Sequence, residues 1–440
     1  MHNKWKNVRE LRIIGQTPLA DSPSLHQVLL GLRFGNLQIE ALERLRFVGY
    51  LSPGQRLAEG MVEKTGMMLG KLGPNVSEIE WSSLHCVCGY LGRVLRGLYE
   101  QQRPRLRVLD ATRALPAMAF DSFATTLTQL SLSGEVLGRR QAFPYIPTDN
   151  LLRMSLTDII SDRVWDYFDS PRPDMIEFPQ LEYMQISVCP MMHLDTRISI
   201  MESGWAPRFP KLQEAELSFT ADMYVDFFEC LRGSPLQKLR FTDSQYTLSH
   251  IDQALIESAV EICLVWAARS WFLHSDDRWS AKISHMLNMK VANIRTLSLY
   301  GAPVPFPLTT GWAGLHNLSI AVEEVDWDGI EFLLPQVPQL KVLKIVSSRS
   351  REWAAPQALT VDGEDLSGLI HSRLEEFDCY CSTYLGPPIP MVWVKKFILG
   401  TPSLCRICMY PEVLDEVAEI VAECKRDIQV KIGICIKDLL

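Results

Sequence analysis

Long apolar runs are missing from this 440-residue chain: the densest, Ile262 to Ala268, falls far short of the roughly 20 residues a membrane span needs. The opening residues, Met1 to Glu10, are charged and hold no apolar core of a secretory signal. Cysteine is sparse for a disulfide scaffold, since 11 residues in a chain of this length are dilute and odd in number. The expected compartment is therefore reducing, the cytoplasm or the nucleus. A basic excess is also lacking: 44 Lys and Arg against 52 Asp and Glu leave a net charge of -8, which opposes attraction to nucleic acid or an anionic membrane surface.

Catalytic signatures are equally scarce. There is no phosphate loop ending in Lys-Ser/Thr, no G-x-S-x-G elbow and no H-E-x-x-H. Cys405-x-x-Cys408 stands without a second pair at zinc spacing, and Cys379, Cys381 and His371 alternate between faces or lie too far along the chain to complete four ligands. The cluster His85, Cys86 and Cys88 is no better placed. The acidic runs at Asp276-Asp277 and Glu323-Glu324-Val325-Asp326 read as solvated loops. The expectation is a non-enzyme with no cofactor and no metal.

What the chain does contain is a six-residue phrase with apolar residues at positions one, four and six. It begins as Val8/Leu11/Ile13, Leu42/Leu45/Phe47, Val76/Ile79/Trp81 and Leu106/Leu109/Ala111, and recurs through Leu340/Leu343/Ile345, Leu374/Phe377/Cys379 and Leu404/Ile407/Met409. Fourteen copies make a repeat architecture, so residues 1–440 are expected to form one solenoid of about 14–15 units rather than three separate domains. Proline two residues ahead of the phrase recurs at Pro74, Pro104, Pro179, Pro210, Pro338 and Pro402, where it ends a helix and starts an extended segment. Helical faces are legible at Leu91/Val94/Leu95/Leu98 and Val413/Leu414/Val417/Ile420/Val421.

Between Phe241 and Ile294 the rhythm breaks. Ile251 to Leu264 looks helical, and residues 242–293 are either a helical insertion or a degenerate fifteenth phrase at Val260/Cys263/Val265. Trp266, Trp271 and Trp279 make this the segment richest in tryptophan. Residues 134–150, 170–179, 301–312 and 347–363 read as loops, and 411–440 as a closing helix and strand with Lys425 and Arg426 suited to the helix C-terminus.

The phrase resembles the leucine-rich repeat. That resemblance implies an α/β fold, an irregular ribonuclease-inhibitor-like horseshoe with a parallel sheet on the concave face and helices on the convex face. The turn asparagine of the family is absent, its place being taken by Gln16, Tyr50, Leu84 and Ala114, with Cys189 the one match. Strand alternation directs positions three and five to solvent. They form a surface of mixed sign in which Arg44, Arg46, Glu78, Glu80, Arg153, Tyr183, Gln185, Glu214, Glu216, Lys238, Arg240 and Lys344 are the candidate partner-binding residues. Alternating sign suits a protein partner better than a phosphate backbone.

Long helices and Pro-x-Leu strand openings are similar to the repeat region of fungal F-box proteins. This implies a substrate receptor of a ubiquitin ligase, recruited to a cullin through an adaptor that binds the F-box. The first phrase starts at Val8, ahead of any room for an F-box or an N-terminal cap, so the expectation is a shortened chain or one that caps itself by association. The alternative is a ribonuclease-inhibitor-like regulator that binds an enzyme.

Overall fold

Every one of the fourteen phrases lies on a β-strand of a parallel sheet. A computed structural model describes residues 7–15, 38–49, 59–83, 97, 106–112, 126–133, 149–160, 177–189, 207–218, 227–228, 230–242, 258–265, 293–300, 312–325, 327–350, 370–381 and 389–432. The chain divides into two compact units, Met1–Pro235 and Leu236–Leu440.

In the first unit the strands are β1 (Glu10–Gly15), β2 (Arg44–Gly49), β3 (Glu78–Ser83), β4 (Val108–Thr112), β5 (Gln129–Ser133), β6 (Arg153–Ile160), β7 (Tyr183–Cys189) and β8 (Glu214–Ser218). Helix α1 (Glu59–Leu72) lies between β2 and β3. Each strand pairs in parallel with the next in chain order, so a given phrase position stands beside the same position of its neighbour. The second unit repeats this with β9 (Lys238–Thr242), β10 (Glu261–Val265), β11 (Thr296–Tyr300), β12 (Asn317–Val325), β13 (Val342–Ser350), β14 (Glu376–Cys381), β15 (Arg406–Met409) and β16 (Gln429–Ile432). Its described helices are α2 (Trp327–Leu333), α3 (Met391–Gly400) and α4 (Leu414–Glu423). Strands in sequential order, with helical returns between some of them, make each unit a solenoid-like α/β fold.

Alternation fixes the core. Positions one, four and six are buried through most of both units, as Leu42, Leu45 and Phe47 are in β2 and Leu340, Leu343 and Ile345 in β13. Aromatic side chains fill the layer behind the sheet. Phe47 meets Trp81 at 4.5 Å between ring centroids, and Phe178 meets Phe209 at 5.3 Å. In the second unit Trp393 and Phe397 of α3 reach Phe377 of β14 at 6.0 and 4.6 Å, which places α3 on the core side of the sheet.

A backbone bracket recurs at the start of most strands. The carbonyl of position two accepts the N–H groups of positions two and three in the following strand, as Glu43 does from Ser77 and Glu78, and Lys341 from Glu375 and Glu376. One turn earlier, the N–H of position one returns to the carbonyl three residues before it, at Ile39, Gly73, Phe178, Phe209, Trp312, Val337 and Thr401. Their burial defines a largely apolar column, with Thr401 a polar member, that the six-residue phrase does not include.

Several expectations change. Residues 261–265 are strand β10, not helix, and their buried set is Ala259/Ile262/Leu264, one residue earlier than Val260/Cys263/Val265. Pairing with β9 and β11 decides it: Ile262 stands beside Leu239 and Leu297, which leaves Val260 exposed. Residues 347–350 continue β13 rather than opening a loop, and Glu323 to Val325 end β12 rather than lying in a loop, because those two strands stay paired to Ser350 and Val325. Val413 sits in a 3-10 turn (Pro411–Val413) leading into α4. The Arg426 side chain donates to the carbonyls of Thr401 and Pro402, just beyond α3, and its backbone N–H caps α4 at the Val421 carbonyl, while Lys425 takes the left-handed conformation at φ 52° that ends α4. The helix at Leu91 to Leu98 lies outside the described residues apart from position 97, as do Trp266, Trp271, Trp279, the His85/Cys86/Cys88 cluster and Asp276-Asp277.

Candidate functional site

The face of the sheet turned away from the core carries phrase positions three and five, so register alone builds two columns of side chains across each unit, with strands about 4.8 Å apart. In the first unit, position three runs Glu10, Arg44, Glu78, Val108, Gln129, Arg153, Tyr183, Glu214 and position five runs Arg12, Arg46, Glu80, Asp110, Ser131, Ser155, Gln185, Glu216. Nine of the expected partner-binding residues fall here. Lys238, Arg240 and Lys344 fall in the matching columns of the second unit.

The charges of β1 to β3 are matched to one another. Arg44 Nε lies 2.5 Å from Glu78, Arg46 Nε lies 2.6 Å from Glu80, and Glu10 reaches Arg12 at 3.0 Å and both Arg44 and Arg46 at 3.6 Å. The hydrogen bond from Arg12 holds the Glu10 carboxyl below its ordinary range, and the bonds that Arg44 and Arg46 donate to Glu78 and Glu80 hold the two guanidiniums above theirs. Mixed sign at this end is therefore internal pairing across strands, and the pairs are half-exposed, where such contacts are screened and individually weak.

From β4 to β7 the face changes character. Burial raises the Asp110 carboxyl, which accepts from Ser131. Ser155 donates to Gln185 at 2.7 Å. The Arg153 guanidinium sits 4.7 Å above the Tyr183 ring, and the Tyr183 hydroxyl donates to Glu216 at 3.4 Å. Burial, then Glu216, push the Tyr183 phenol upward, so its hydroxyl stays protonated and donating.

In the second unit Lys344 Nζ is 3.5 Å from Asp378, and Arg406 pairs with Glu376. Three residues expected to face solvent are buried: Ser298, Asp378 and Cys408. Asp378 and Cys408 are short side chains between Lys344 and Lys431 in one column, and longer neighbours shade them. The Cys408 thiol donates to Asp378, and burial with that carboxylate pushes it up to about 11. Cys405 is exposed at the strand start, with its thiol 3.2 Å from the Glu375 carbonyl, so the two halves of the CxxC do different things.

His371 occupies the buried column ahead of β14. Its Nε2–H donates to the Val337 carbonyl at 2.9 Å and its Nδ1 accepts from the Arg373 N–H at 3.2 Å. Among the described residues no three His, Cys, Asp or Glu side chains converge as metal ligands do, and no helix is long and apolar enough to cross a membrane. Ser155 and Asp110 are not among the candidate partner-binding residues, although the phrase register already directs both to this face, where they stand beside Gln185 and Glu80.

No family model matches this chain, and no curated protein matches it.

Proposed function

We propose that this chain is a protein-binding scaffold of the leucine-rich type, with a protein partner held on the open face of its sheet, and that it serves as the substrate-recognition element of a ubiquitin ligase in the cytoplasm or nucleus. The observation that carries the binding reading is the register: sequential parallel strands present polar side chains in fixed columns over an aromatic and aliphatic core, a rigid surface whose composition varies strand by strand. The ligase assignment rests on the Pro-x-apolar openings and helical returns similar to those of F-box proteins.

Affinity purification of the tagged full-length protein with quantitative mass spectrometry tests both parts. Recovery of a cullin and its adaptor together with other proteins supports the ligase assignment. One stoichiometric enzyme without a cullin replaces it by the ribonuclease-inhibitor-like role, and a preparation whose bound proteins are unaffected by substitutions on the open face overturns the binding reading.

A further inference from the structure

Four open-face cations stand in the first unit at phrase positions three and five: Arg12, Arg44, Arg46 and Arg153. The first three are tied to Glu10, Glu78 or Glu80. Arg153 differs, because among the described residues it has no carboxylate at ion-pair distance and its recorded contact is the ring of Tyr183. A stacked guanidinium keeps its edge N–H groups free, and the platform is itself held by the hydrogen bond from Tyr183 to Glu216. Much of the side-chain entropy that an anionic partner would have to overcome at a free arginine is already lost.

We propose that Arg153, stacked on Tyr183, anchors a carboxylate-bearing segment of a partner protein; this rests on the open-face reading above. The surroundings select the ligand. In register, Gln129 on β5 stands beside Arg153 and Gln185 on β7 beside Ser155, both neutral amides, and Ser155 donates its hydroxyl to the Gln185 oxygen, so what the Gln185 amide has to offer a ligand is its N–H groups. A planar carboxylate takes two parallel bonds from one guanidinium and a third from such an amide. A doubly charged phosphate is disfavoured, since a single cation faces it while Glu214 lies in the same column and Asp110 and Glu216 in the neighbouring one.

The test uses a phage-displayed library of random dodecapeptides selected on the full-length protein, followed by synthetic peptides with the winning sequences. The expected binders contain an Asp or Glu whose change to Asn or Gln weakens binding about tenfold or more, the usual scale for a charge-assisted contact. Arg153→Gln is expected to cause a similar loss, and on that variant the peptide change costs nothing further, the mark of a direct pair. Tyr183→Leu, which keeps the charge but removes the platform, is expected to weaken binding by a smaller factor. Ser155→Arg and Ser131→Arg obstruct the face without touching Arg153, and circular dichroism checks that each variant is folded. Peptides blocked by these two but indifferent to Arg153→Gln overturn the Arg153 anchor alone. Peptides indifferent to all three substitutions overturn the open-face reading with it.

Discussion

His371 Nε2 donates to the carbonyl of Val337, 2.9 Å away in the preceding repeat, and the imidazole is buried at the turn that leads into β14. Burial holds this histidine below its ordinary value of 6.5, and the hydrogen bond to Val337 only partly opposes that. The folded chain keeps the ring neutral while the unfolded chain takes up a proton as pH falls through about 6.5. Its contribution to stability is therefore complete above that pH and is lost progressively on acidification toward the folded value. The urea midpoint of the wild type is expected to fall more between about pH 7.5 and pH 5 than that of His371→Gln, whose side chain does not titrate. Parallel pH profiles for the two proteins would sink this account.

Arg46 and Glu80 make the second test. Arg46→Glu places a third carboxylate beside Glu10 and Glu80, and Glu80→Arg crowds a third guanidinium beside Arg44 and Arg46. Each single reversal is expected to lower the melting temperature, and the double exchange to recover most of it, because the pair is rebuilt with its polarity inverted. Molar salt should shrink both losses, since these side chains keep about 30% of their exposure. A double exchange no better than the worse single variant would mean that the pairing does not govern this face.

How far the fold was legible depended on how distinct the two faces are. Strands such as Gln129–Ser133, with Leu130 and Leu132 between a glutamine and serines, admit one register only, because sliding by one residue would bury the polar set. Around β10 both interleaved sets are apolar, Ala259/Ile262/Leu264 and Val260/Cys263/Val265, and local pattern cannot choose; the partners in β9 and β11 do. The candidate site was legible as columns but not as contacts. Alternation names Arg44, Glu78, Arg153 and Tyr183 as facing outward, yet that the first two neutralise each other while Arg153 stacks on Tyr183 depends on cross-strand distance, which sequence spacing of about 30 residues conceals.

Gly73 shows why the turn ahead of a strand matters as much as the strand. It closes α1, donating to the Leu69 carbonyl and accepting from the Val76 N–H. A Cβ there would stand 2.6 Å from Val76 Cγ2 and 2.7 Å from Leu42 Cδ2, both position-one side chains of adjacent repeats in the core. Gly73→Ala is expected to cost about 1 to 3 kcal/mol through overpacking. The reduced freedom of the unfolded chain offsets only about 0.4 to 1 kcal/mol of that. Val76→Ala removes the nearer clash, so the double variant should be more stable than the sum of the single losses implies, measured by urea denaturation. Strict additivity would show that the turn yields without involving Val76.

Thiol reactivity separates Cys405 from Cys408, although three positions divide them. Cys408 is buried, hydrogen-bonded to Asp378 and pushed up to about 11, so at about pH 8 roughly one thiol in a thousand is ionised. Cys405 is exposed at the start of β15. In the native protein iodoacetamide is expected to label Cys405 well before Cys408, and peptide mapping by mass spectrometry resolves the two sites. Asp378→Asn removes the negative charge that opposes thiolate formation, so it should lower the Cys408 value and speed its labelling, while Lys344→Gln, which removes a neighbouring cation, should not. Equal rates at the two cysteines, or no acceleration in Asp378→Asn when its circular dichroism matches the wild type, would remove Asp378 from control of this thiol.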